Sequence, residues 1–123
     1  MRRALLAAVL ALGSVLPAAQ AHHSFAMFDR EREVTLQGVV KEFQWTNPHS
    51  WIQLTVKDAQ GREVEWSLEG GSPGVLSRGG WKRTSLQPGD VVKVVIYPLK
   101  DGTPGGAFLE VTKADGSTLY YHG

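Results

Sequence analysis

The chain has 123 residues, with 13 basic and 12 acidic side chains and no cysteine. This length allows one compact domain with a single modest hydrophobic core. The lack of cysteine excludes a disulfide framework, a thiol nucleophile and a lipid anchor on cysteine. The near-balance of charge argues against nucleic acid as a partner.

The first 21 residues have the pattern of a secretory signal peptide. Arg2 and Arg3 form a positive start, residues 4–16 form a short apolar run, and Ala19-Gln20-Ala21 forms a small-residue cleavage site. The apolar run is too short to span a bilayer, and no later stretch approaches the roughly 18 residues that a spanning helix needs. We therefore expect cleavage after Ala21, export to the periplasm or the medium, and no stable membrane insertion of the mature protein.

The mature chain is predicted to consist of an N-terminal segment, residues 22–32, and a β domain, residues 33–123. Apolar and polar residues alternate along the domain with the period of half-buried strands. The pattern predicts three strands, a helix and then two or three further strands. The predicted strands cover residues 34–45, 51–58, 63–68, 91–97, 108–112 and 118–121.

The short helix is predicted between the third and fourth strands. Ser72 can cap it, Pro73 can begin it and Gly79-Gly80 can end it, with Val75 and Leu76 as its apolar contacts. This element order is that of oligonucleotide/oligosaccharide-binding barrels. We predict a mainly β protein, a small five- to six-stranded antiparallel barrel with a long, bent first strand. An antiparallel β-sandwich is the alternative, because periodicity predicts strands but not their closure.

Short motifs along the mature chain resemble a family of exported bacterial proteins of unknown function. The motifs are His22-His23-Ser24-Phe25, Phe28-Asp29, Val34-Thr35-Leu36-Gln37-Gly38 and Asn47-Pro48-His49. The resemblance covers nearly all of the mature chain. It implies export and a barrel-like body, and it brings no activity with it.

The N-terminal histidine is the sharpest candidate for chemistry. After cleavage at Ala21, the α-amine and the imidazole of His22 can chelate one metal ion, and a second imidazole completes three nitrogens in a plane. Nitrogen-rich tetragonal sites suit Cu(II), which heads the affinity order of first-row divalent ions. The arrangement resembles, in the site alone, the histidine brace of copper-binding β-sandwich proteins and copper-dependent polysaccharide monooxygenases.

His49 is the favoured second imidazole, because Asn47-Pro48 precedes it and is expected to hold it at the mouth of a strand. His23 offers a different geometry, in which its amide and ring nitrogens chelate together with the N-terminal amine. Met27 can add a soft sulfur for Cu(I). The alternative is that the N-terminal histidines form a solvated tail and that His49 caps a turn.

Two classes of function remain open from the sequence. The first is an exported, monomeric binding protein with copper or another transition metal at its N-terminus. The second is a metal-free interaction module that holds an unknown protein or a small ligand on exposed rings of Trp45 and Trp51. Packing of these rings beneath the N-terminal segment is the structural alternative.

Enzymatic activity is not expected. The chain has no Gly-x-Ser-x-Gly elbow, no His-Glu-x-x-His helix and no phosphate-cradling loop, and Gly70-Gly71 is interpreted as a turn. A Ser-His-acid site would have to combine Ser50 or Ser24 with His49 and an unspecified carboxylate.

Overall fold

Six strands, one α-helix and one 3-10 turn make up residues 25–122, the part of the chain that this computed structural model describes. The 3-10 turn is Phe25–Met27, and helix α1 is Pro73–Arg78. The strands are β1 (Val34–Gln44), β2 (Trp51–Lys57), β3 (Glu63–Glu69), β4 (Val91–Pro98), β5 (Gly105–Lys113) and β6 (Thr118–Tyr120). The mainly β class and the position of the helix are as predicted.

The strands form a closed barrel of five strands, with β6 added to it. The sheet order is β3-β2-β1-β4-β5-β6, and neighbours in that order are antiparallel. A parallel pairing of β3 with β5, between residues 67–69 and 105–107, closes the sheet. The predicted barrel is therefore confirmed, with one parallel seam that the prediction did not contain. This closure replaces the sandwich alternative.

Strand β1 is long because it serves both sides of the barrel. Its residues 34–39 pair with β4, and its residues 39–44 pair with β2. A register shift after Val40 makes a bulge in the second half. Gly38 lies where the chain passes close to β2, since a Cβ there would be 2.4 Å from the carbonyl oxygen of Thr55. The predicted long first strand is confirmed, and its bulge lies after Gly38, between Val40 and Glu42.

Inward-facing side chains of the barrel strands form one hydrophobic core. On β2, for example, Ile52 and Leu54 are buried, whereas Gln53 between them is partly exposed. Helix α1 and the segment after it cover one end of the barrel with apolar side chains. The buried residues at this end are Leu76, Trp81 and Leu86.

Helix α1 begins and ends at the predicted residues. The Ser72 hydroxyl accepts the backbone N–H of Val75 at 3.2 Å, and Gly79 closes the last turn. Of the two predicted apolar contacts, Leu76 is buried and Val75 remains 39% exposed. Within the described residues, no helix is both long enough and apolar enough to cross a membrane.

The start of the described chain docks against the end of β4. Phe28 forms an isolated antiparallel bridge with Leu99. The backbone N–H of Lys100 donates to the carbonyl of Met27 at 2.9 Å. Phe28 is buried, whereas Phe25 is 59% exposed. The predicted cleavage site and the histidines that follow it lie outside the described residues.

Candidate functional site

His49 lies in the loop between β1 and β2, and hydrogen bonds fasten this loop to the end of β3. The N–H of Ser50 donates to the carbonyl of Gly71, and the N–H of Gly70 donates to the carbonyl of Ser50, each at 2.9 Å. The hydroxyl of Thr46 donates to the carbonyl of His49 at 2.7 Å. The backbone of His49 is therefore held from both sides.

The imidazole of His49 is held through Nδ1. This nitrogen lies 3.1 Å from the carbonyl oxygen of Gly70 and 3.5 Å from Oε1 of Glu69. Because a carbonyl oxygen can only accept, Nδ1 is the donor of this contact, and the neutral tautomer that satisfies it has its lone pair on Nε2. Metal-ligating histidines typically donate their second ring N–H in this way, to a carbonyl or a carboxylate. The side chain is 32% exposed, so solvent reaches part of the ring.

Glu69 is buried although it lies on the outward face of β3. Its partners in register are Trp51 on β2 and Ala107 on β5, so strands flank it on both sides. Burial raises the pKa of the Tyr121 phenol, and the charge of Glu69 raises it further. A buried carboxylate is costly unless hydrogen bonds or positive charge compensate, and the His49 ring provides one such partner. We define the His49 corner as His49, Glu69, Gly70 and Tyr121.

The described chain begins near this corner. Phe25 and Tyr121 line the same apolar recess. The ring of Tyr121 also lies against Gly71, since a Cβ on Gly71 would be 2.9 Å from it. Ala107, which lies beside Glu69 across the seam, lines this recess as well. The first described residue therefore lies near the His49 corner.

Ser50 does not form a catalytic unit with His49. Its side chain is fully buried, and its Oγ has no hydrogen-bond partner in the described part of the chain. A nucleophilic serine needs a hydrogen bond to its base and access to substrate. The Ser-His-acid site considered from the sequence is therefore not assembled at Ser50, and Ser24 lies outside the described residues.

Ser50→Ala is expected to raise the free energy of unfolding by about 1 kcal/mol, because it removes a buried hydroxyl that lacks a partner. Urea denaturation measures the change. Ser117→Ala is the control, since the Ser117 hydroxyl is exposed and donates to Asp115 at 2.6 Å. A lower unfolding midpoint for Ser50→Ala would show that the Ser50 hydroxyl is bonded after all.

The two candidate tryptophans lie on different faces of the β1–β2 pair. Trp45 packs against the core and meets the ring of Phe43 edge-on, with centroids 5.7 Å apart. Trp51 lies on the outward face, in register with Gln44 and Glu69. This placement does not favour one flat platform made of both rings.

The remaining candidate ligand, Met27, and the fourth histidine of the chain, His122, both lie on the surface. Met27 lies on the 3-10 turn and is 40% exposed. His122 stacks on Tyr120, with ring centroids 6.0 Å apart. Within residues 25–122, no group of three or more His, Asp or Glu side chains is arranged to hold a metal ion. The predicted N-terminal ligands, His22 and His23, lie outside this range.

Sequence analysis did not single out Glu69. It continues the outward-facing series of Glu63 and Glu65, so the alternation predicts a solvated carboxylate. Its burial depends on β5 lying beside the end of β3. Strand periodicity carries no signal for that pairing.

The fold and the His49 corner define a small β-barrel protein with a partly exposed, fixed histidine at one end. Residues 9–110 match DUF6152, a family of unknown function. Because the match covers most of the chain, the protein belongs to this family. The matched range includes His22, His23 and His49. No curated protein matches the chain, and no solved structure matches it either.

Proposed function

We propose that this protein is an exported binding protein that holds copper, or another transition metal, at its mature N-terminus. The amine and imidazole of His22 supply two ligands, and Nε2 of His49 supplies the third. Water or Met27 fills an open position. The observation that carries the proposal is the 3.1 Å contact between Nδ1 of His49 and the carbonyl oxygen of Gly70, because donation through Nδ1 leaves Nε2 as the acceptor nitrogen of the neutral ring.

The surroundings of His49 support a metal ligand more than a simple turn cap. A carbonyl and a carboxylate lie within 3.5 Å of Nδ1, and these are the groups that orient metal-bound imidazoles. The negative charge of Glu69 behind the ring favours a cation in front of it. An amine and two imidazoles suit Cu(II) best among first-row divalent ions.

Chain length supports a contribution from the N-terminus. Three residues extend at most about 10 Å, so the amine of His22 stays within that distance of Phe25. Phe25 shares a recess with Tyr121, and the pKa of Tyr121 responds to the charge of Glu69. A cut after Ala21 leaves the amine three residues before Phe25 in the sequence.

The test is a Cu(II) titration of protein exported through its own signal peptide, with the mature terminus established by intact mass. We expect one tight equivalent of Cu(II) in the native form. One extra Ala before His22 is expected to abolish this binding, because the amine and ring then belong to different residues. His49→Ala is expected to weaken it about tenfold or more.

His122→Ala is the matched control, because His122 is exposed and stacks only at the surface on Tyr120. Its copper affinity is expected to equal that of the native form. A mature chain that begins elsewhere, or equal weak binding by the native and extended forms, would overturn the proposal. In the alternative, a metal-free module that binds through Trp45 or Trp51, the extra Ala leaves partner binding unchanged.

A further inference from the structure

Among residues 25–122, Glu69 is the one buried charged side chain, with 6% of its surface exposed. Glu63 and Glu65 point outward from the same strand and are exposed. The difference arises at the seam, where Ala107 of β5 lies beside Glu69. Barrel closure thus buries a carboxylate at one point of an otherwise solvated face.

The position of this carboxylate matters for the His49 ring. Oε1 of Glu69 lies 3.5 Å from Nδ1, which is long for a hydrogen bond, whereas the carbonyl of Gly70 lies at 3.1 Å. Gly70 therefore provides the hydrogen bond, and Glu69 acts mainly through its charge. A cation on Nε2 makes the Nδ1–H a stronger donor, and a nearby carboxylate stabilises that state.

Two features of the surroundings favour the attraction between the Glu69 carboxylate and a cation on His49. Partial exclusion of water lowers the local dielectric, so the attraction between the carboxylate and a cation is larger than at an exposed pair. A tyrosine phenol is neutral at pH 7, and burial together with the charge of Glu69 raises the pKa of Tyr121 further. Tyr121 therefore adds no second negative charge near the carboxylate.

We propose that Glu69 is a positioning residue of the metal site, whose buried carboxylate fixes the His49 ring and offsets the charge of a cation bound at Nε2. The metal-binding part of this inference rests on the proposed function. It assigns to the corner a preference for cations over anionic ligands.

The test compares Glu69→Gln with Glu63→Gln in exported, mature protein. Each variant removes one carboxylate from β3, the first beside His49 and the second in solvent. We expect Cu(II) affinity to fall about 10- to 100-fold in Glu69→Gln and to stay unchanged in Glu63→Gln. Glu69→Asp keeps the charge but places it farther from His49, because the side chain is one methylene shorter. The Cu(II) affinity of this variant is expected to lie between those of wild type and Glu69→Gln.

A measurement on the metal-free protein separates this inference from the proposed function. Long-range ¹H–¹⁵N spectra of the imidazole report which nitrogen of His49 carries the proton and how fast that proton exchanges. We expect a protected Nδ1–H in the wild type and faster exchange in Glu69→Gln. Circular dichroism establishes that each variant is folded, and Glu69→Asp takes the place of Glu69→Gln if the latter is not.

The outcomes separate the two proposals. Tight copper binding that is unchanged in Glu69→Gln overturns the positioning role. An unchanged Nδ1–H signal in the variant overturns it as well, whether or not copper binds. If the wild type binds no copper, the proposed function fails, and the imidazole spectra alone decide whether Glu69 positions His49.

Discussion

Replacing Trp81 by alanine is expected to lower the free energy of unfolding by about 3–5 kcal/mol. Trp81 is 1% exposed. Its ring centroid lies 6.0 Å from that of Phe43 and 5.3 Å from that of Phe108. The indole N–H donates to the carbonyl of Tyr120 at 2.8 Å. The substitution therefore opens a cavity at the end of the barrel and removes the donor from a backbone acceptor of β6.

Trp66→Ala is the matched control for this loss. Trp66 is also a tryptophan, but it is only partly buried, so we expect about half the effect. Urea denaturation of both variants and the wild type gives the comparison. Trp81→Phe keeps a ring and loses the N–H, and it serves if the alanine variant does not fold. Equal losses of unfolding free energy at the two tryptophans would contradict the larger contribution expected of the buried Trp81.

Gly70→Ala is expected to destabilise the protein by about 3 kcal/mol, at the upper end for overpacked cores. A Cβ at Gly70 would lie 2.0 Å from Cζ of Phe108, which is fully buried. Phe108 cannot withdraw freely, because it packs against Trp81. Since the Gly70 carbonyl also accepts from His49, displacement of the backbone is expected to weaken copper binding too.

The control for Gly70→Ala is Gly74→Ala in α1. The nearest atom to a Cβ there is 3.9 Å away, so alanine fits and is expected to stabilise the protein by about 0.5–1 kcal/mol. Phe108→Leu in the Gly70→Ala background tests the clash directly, because a smaller side chain relieves it and the two losses become less than additive. Strictly additive losses would show that Phe108 is not the obstacle.

The parts of the fold with local signals could be predicted from the sequence. Ser72 and Pro73 predicted the start of α1, and the structure confirms that Ser72 caps it. The alternation around Ile52 and Leu54 predicted which face of β2 is buried. The turn between β2 and β3 is also local, since a hydrogen bond from the N–H of Asp58 to the carbonyl of Arg62 closes it.

The parts that depend on distant pairing could not be predicted. Gly70 and Gly71 were interpreted as a turn, but their lack of a side chain makes room for the rings of Phe108 and Tyr121. These rings come from the far end of the sequence. The same holds for the site, where His49 was singled out by residue type and Glu69 was missed, because only the seam buries it.

The parallel seam between β3 and β5 links the geometry of the His49 corner to closure of the barrel. Ser67 pairs with Gly105 across it, so its contacts join parts of the chain that are far apart in sequence and are entropically costly to form early in folding. Glu69 and Gly70, which both have an oxygen within 3.5 Å of His49 Nδ1, stand at or next to this seam. A ligand that requires both partners recognises the closed barrel alone. By mass action, such a ligand is expected to stabilise the closed barrel over the unfolded chain, and the stabilisation is expected to grow with ligand concentration.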